Sequence, residues 1–112
     1  MAKVVTYWQL RDRIENEISK SVVCEIHYSC YKEVGDGKVE DNLDDVAVEG
    51  TVVFIRHAYD GSYRSKPITN PTWMDVCKVA NESIHVTDDY HHVYLEGISP
   101  VEDGVYAMTF GS

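Results

Sequence analysis

The apolar residues of "VTYWQLRDRIENEIS" fall at Tyr7, Leu10, Ile14 and Ile18, three and four positions apart, which predicts one face of a helix. Thr6 and Gln9 supply a capping box at its start, and Val5 stands where a hydrophobic staple would meet Leu10. Arg11, Arg13, Glu15 and Glu17 are left for water. In "SVVCEIHYSCY" the period changes to two, predicting a strand with Val22, Cys24, Ile26, Tyr28 and Cys30 inward and Val23, Glu25, His27 and Ser29 outward. Residues 33–45, "EVGDGKVEDNLDD", carry two glycines and six carboxylates with little apolar content, and predict a mobile acidic loop.

The alternation returns in "VAVEGTVVFIRHA", residues 46–58, with Gly50 a candidate bulge. After the loop "YDGSYRSKPITNP" a second helix is predicted over 72–84. Asn70 or Thr72 is its N-cap, Pro71 lies in its first turn, and Trp73, Val76, Cys77, Ala80 and Ile84 form its apolar face. Two strands, 91–98 and 105–110, flank the turn-forming "SPVEDG". The order is αββαββ. It predicts an α+β fold, an antiparallel sheet of about four to five strands with two amphipathic helices packed on one face. A chain of 112 residues sustains one core, so residues 1–112 are read as a single domain.

Composition narrows the partners. Nineteen acidic against ten basic residues give a net charge of -9, which repels phosphate backbones, so no direct nucleic-acid contact is expected. No apolar run long enough to span a membrane and no signal-peptide pattern occurs, and Cys24, Cys30 and Cys77 form no C-x-x-C pair. A cytoplasmic protein with reduced, mostly buried thiols is expected. Neither a phosphate-binding glycine motif nor metal-ligand spacing is present, so no cofactor and no metal are expected.

Three groups of residues could carry chemistry. Regular strand geometry over 91–98 sends Val93 and Leu95 to the core and puts His92, Tyr94 and Glu96 on the opposite face, with His27 on a neighbouring strand. Tyr and His on such a face suit an interface. The alternative is a small enzyme in which His92 is the base and Glu96, Asp88 or Asp89 orients it. A second group, Arg56, His57, Tyr59, Tyr63, Arg64 and Lys66, concentrates positive charge and aromatic rings before the second helix, whose start favours anions. It is the expected ligand site for a small anion, a nucleotide being one candidate. The third, Asp41, Asp44 and Asp45 in the acidic loop, could imitate a phosphate backbone and meet a protein partner.

No nucleophile motif accompanies them. The expected function is therefore a small, acidic, non-catalytic binding protein. It would occupy a partner protein's site or sequester an anionic ligand, as an accessory or inhibitor protein of the kind viruses encode, and would self-associate as a homodimer or larger assembly.

Overall fold

The computed structural model describes residues 3–58 and 61–112. Eleven elements follow one another: β1 Lys3–Thr6, α1 Tyr7–Ile18, β2 His27–Tyr28, β3 Lys32–Gly35, β4 Lys38–Asp41, β5 Thr51–Ala58, β6 Gly61–Arg64, β7 Ile68–Thr69, α2 Trp73–Thr87, β8 Tyr94–Glu102 and β9 Val105–Gly111. The chain is mixed α and β, with two helices and two sheets. The larger sheet has six strands in the order β2-β8-β9-β5-β6, with β7 also on β5, and the smaller has the order β1-β4-β3.

Both helices begin as their sequences dictate. Thr6 and Gln9 form the reciprocal capping box of α1, and Thr72 and Asp75 form that of α2. Leu10, Ile14 and Ile18 are buried, as the helical spacing requires. Thr72, not Asn70, is the second cap, so Pro71 precedes the helix instead of opening it. Asn70 takes a left-handed φ of 48° and its Oδ1 accepts from the Gly50 N–H at 2.7 Å.

Four expectations need correction. The sheet is not purely antiparallel, because β2 runs parallel to β8 and β5 parallel to β9. It is also larger than four or five strands, and α1 lies against β1, β4 and α2 while α2 lies against β5 and β6. Of the predicted strand over 21–31, only His27 and Tyr28 pair; Val22 and Val23 are exposed. Residues 33–45 are not an irregular loop: they hold the β3–β4 hairpin, and Val39 and Leu43 are buried in the core.

A polar device replaces the missing strand. Asn81, fully buried on α2, accepts from the N–H groups of Glu25 and Ile26 at 2.7 and 3.1 Å and donates to the Val23 carbonyl at 3.0 Å. One side-chain amide thus does for residues 23–26 what a neighbouring strand would do. The N-terminus of α2 is closed in the same manner. The Trp73 and Met74 N–H groups bond the carbonyls of Asp45 and Leu43, and the Asp75 N–H bonds Thr72 Oγ1.

The edge strand beside β5 is interrupted at Ser65, between β6 and β7. Its N–H bonds the Phe54 carbonyl while its Oγ accepts from the Phe54 N–H, both near 2.9 Å. A hydroxyl maintains the ladder just before Pro67, which has no N–H to offer.

Asn81→Ala should lower the unfolding free energy by about 2 kcal/mol, since it leaves the Glu25 and Ile26 N–H groups without partners, while the Val23 carbonyl keeps His85 Nε2 at 2.8 Å. Urea titration measures it. A loss below about 1 kcal/mol would mean that water satisfies those groups.

Candidate functional site

The uncovered face of the large sheet is assembled by alternation. Val52, Phe54 and Arg56 of β5 point toward α2, so Val53, Ile55 and His57 point away. Register then aligns Ile55 with Ala107 of β9 and Arg64 of β6, and Thr109 with Gly97 of β8. Val53, Ile55 and Ala107 are half-buried and Val105 is buried, yet none belongs to the core cluster, and Ser99, Thr109, His57 and Arg64 are exposed around them. An apolar centre of small and β-branched side chains is ringed by polar ones.

At one edge His27 and Tyr94 are register partners, with rings 4.8 Å apart and 26° from parallel. Burial pushes His27 below its ordinary value, with the Arg11 charge adding to it. Glu96 occupies a bulge in β8 and its carboxylate lies over Gly111, at 2.6 Å from where a Cβ would stand. Three of the four residues expected on this face are therefore together. His92 is not, because it precedes β8.

His92 belongs to a second cluster, beyond the C-terminus of α2. With the proton on Nδ1, it donates to both oxygens of Asp89 at 3.0 and 3.1 Å. Arg56 Nη2 donates to the same carboxylate at 3.2 Å and to the His92 carbonyl at 2.8 Å, and Nη1 to Ser83 Oγ at 3.4 Å. Its guanidinium lies 3.9 Å from the Phe110 ring centre.

Arg56 is only 3% exposed and Asp89 18%. Burial pulls Arg56 below its ordinary value although Asp89 opposes it. Partial burial pushes Asp89 up, but hydrogen bonds from His92 and the His91 N–H, with the charges of His92 and Arg56, hold it below the ordinary carboxylate range. The His–carboxylate pair is thus His92 with Asp89. Asp88 is the exposed left-handed cap of α2, and Glu96 lies on the other cluster.

The expected anion site is largely dismantled. Arg56 and Tyr63 are buried, and Tyr59 lies outside the described residues. Arg64, His57 and Lys66 remain exposed, and Arg64 and His57 join the open sheet face instead. The start of α2, with its N–H groups already bonded, offers no anion contact there. Of the acidic group, Asp41 is held by Arg13 at 2.9 Å and the exposed Asp44 by the same guanidinium at 2.6 Å, while Asp45 stays exposed.

Sequence reasoning missed an aromatic cluster at the start of α1. Trp8 is 74% exposed and stacks on Tyr7, which meets Tyr31. The available signal was a tryptophan off the Leu10–Ile14–Ile18 stripe. A cavity of about 590 Å³ between the C-terminal ends of the two helices is lined by Ile18, Val22 and Val86, and its Glu17 pairs with Lys20 and Lys78. Among the described residues no group of three His, Cys, Asp or Glu side chains could hold a metal ion, and no helix is long and apolar enough to cross a membrane. Burial pushes the Cys30 thiol up to about 11, which leaves little reactive thiolate. The chain matches no protein-family model, no curated protein and no solved structure in these comparisons.

Arg56→Ala should cost about 3 kcal/mol in chemical denaturation, and Arg56→Lys should recover less than half, since one ammonium cannot reach Ser83, Asp89 and the His92 carbonyl together. Asp89, with its depressed value, stabilises the fold above about pH 4 and loses that contribution as pH falls through the folded value. Asp89→Asn should therefore be less stable at neutral pH and show a shallower loss on acidification. An unchanged acid limb would separate Asp89 from the acid response.

Proposed function

We propose that the protein is a non-catalytic binding protein that docks on a protein partner through the uncovered face of the large sheet, and that a second copy of the chain is one such partner. The observation that carries this reading is the arrangement of the face: Val53, Ile55 and Ala107 in its middle, polar side chains around them, and none of them in the core cluster. That is the anatomy of an interface, an apolar centre inside a polar rim.

Charge supports self-association. Glu96 lies at the β2–β8 side and Arg64 and His57 at the β5–β6 side. A two-fold axis along β9 would set the acidic side of each copy against the basic side of the other. Five strands at about 4.8 Å spacing and about five residues at 3.3 Å rise cover roughly 400 Å² in plan. Two copies would bury about 800 Å², just under the roughly 1,000 Å² of a specific interface, so the dimer is weak and concentration-dependent.

The anionic-ligand branch is less favoured, because Arg56 is consumed in the buried cluster. The His92–Asp89 pair keeps an acid–base reading as runner-up, since its geometry would leave Nε2 free to face a substrate. Among the described residues no serine, threonine or cysteine is bonded to that nitrogen.

Thr109→Arg puts a charge in the polar rim, on β9 beside the apolar middle of the face, at an exposed position, so the thermal midpoint should stay within the equivalent of about 0.5 kcal/mol. Sedimentation of the parent should show a dimer growing with concentration, and the variant a monomer. Affinity capture from the source cells should lose with the variant whatever protein the parent retains. A variant that associates and captures as the parent does would overturn the reading.

A further inference from the structure

We propose that the cleft between the start of α1 and the β3–β4 hairpin is a binding site for an organic cation, an alkylammonium or guanidinium group. The cleft measures about 290 Å³ and is lined by Tyr7, Tyr31, Glu33, Asp36 and Lys38 over Val39. That is the low end for a ligand pocket, suited to one cationic head group and too small for a nucleotide.

The walls supply π surfaces. The Tyr7 and Tyr31 ring centres are 5.6 Å apart at 36°, and Trp8 stacks on Tyr7 at 5.3 Å and 5°. Ring faces carry negative electrostatic potential and attract cations, most strongly where water is thinned. The two tyrosines touch, so the cation rests over their open sides and is not clamped between them. The hairpin turn leaves those sides clear. Gly35 and Gly37 hold left-handed φ values of 102° and 72°, and nothing lies within 4 Å of where a Cβ would stand.

The charges point the same way. Glu33 is the register partner of Val39 and so shares its face, and it lines the cleft as an exposed side chain. Its charge reaches Tyr31, whose hydroxyl is pushed above the ordinary tyrosine range by burial first, then by Tyr7 and Glu33. Among the described residues neither Glu33 nor Asp36 takes part in an ion pair. They outnumber the one cation at the rim, Lys38, and the net charge of -9 draws cations from solution. The cleft belongs to the small sheet, so this inference stands apart from the docking reading of the large one.

The cation can arrive as a small quaternary ammonium compound or as a lysine or arginine side chain of a polypeptide. Calorimetric and amide-shift titrations separate the two, using choline, its neutral isostere with a tert-butyl group, a short Lys/Arg peptide, and its glutamine counterpart. Binding of choline or of the basic peptide, with shifts at Tyr7, Tyr31 and residues 33–37 and none from the neutral analogue, supports the site and names the source.

The double variant Glu33→Gln/Asp36→Asn should weaken that binding roughly fivefold, and Asn keeps the left-handed turn that Asp36 makes at a φ of 53°. Tyr31→Leu, which keeps an apolar side chain but removes the ring face, should weaken it by a similar factor. Lys38→Gln should strengthen it about twofold by removing the like charge. Equal binding of the neutral analogues, shifts elsewhere, or no binding by either cation would overturn the proposal, and the Thr109→Arg variant should bind the cation as the parent does.

Discussion

Helix α2 is buried on more than one side, by β5 and β6 and by the segment that precedes β2, and a helix so placed cannot leave its own or its neighbours' polar groups to water. Two irregular stretches and one buried side chain are positioned by that constraint. Residues 43–45 close its N-terminus with main-chain carbonyls, Asn81 ties down residues 23–26 from its middle, and Ser83 helps hold Arg56 near its end. No buried side-chain nitrogen or oxygen lacks a partner among the described residues. The loops take their places because the helix has hydrogen bonds to give, and β2 reaches β8 only because residues 23–26 are already in place.

Arg56 shows the same constraint at higher cost. A guanidinium leaves water only if its donors and charge are answered, and here one carboxylate, one hydroxyl, one carbonyl and one aromatic face answer them. Such an arginine, buried and with three of its five donors taken, is turned inward and not toward a ligand. The cluster joins β5, α2 and the approach to β8, and the exposed surfaces are left to carry recognition.

Legibility in the sequence followed the range of the forces. Both helices, the cap of α1, the β8–β9 hairpin and the alternation of β5 were readable, since capping and periodicity act over three or four residues, but not that Arg56 lies on the inward side. The turn at Gly104 follows a β8 that runs on through Pro100 to Glu102, with a bulge where the proline cannot serve the ladder. Strands β1, β3 and β4 were missed because each is four residues long and buries only one apolar side chain at most, Val5 in β1 and Val39 in β4. The strand expected over 21–31 failed for a complementary reason: alternation records which residues are buried, and Ile26 and Tyr28 are, but it does not say that a side-chain amide takes the place of a neighbour. Of the expected interface, His27, Tyr94 and Glu96 came together through pairing, and His92 was lost to a three-residue error in where β8 begins. Trp8 was visible as an off-stripe aromatic, but Tyr31, which packs on the adjoining Tyr7, comes from a stretch 24 positions beyond Tyr7 in the sequence, a proximity no local pattern encodes.

What remains at the surface divides by mechanism. The fixed carboxylates act at long range, raising encounter rates with positively charged partners and losing that effect as salt shortens the Debye length. Rings and apolar side chains act only on contact, and set how long an encounter lasts. On this chain the two kinds coincide at the small sheet, where unpaired Glu33 and Asp36 adjoin Tyr7 and Tyr31. They separate on the large sheet, where Glu96 and Arg64 lie on opposite sides of an apolar middle. A face of mixed sign gives little steering toward any highly charged partner but fixes the orientation of one with the same alternation, which a copy of itself provides. The cleft gives direction to a cation and little else, so the two surfaces would select different partners without competing for either.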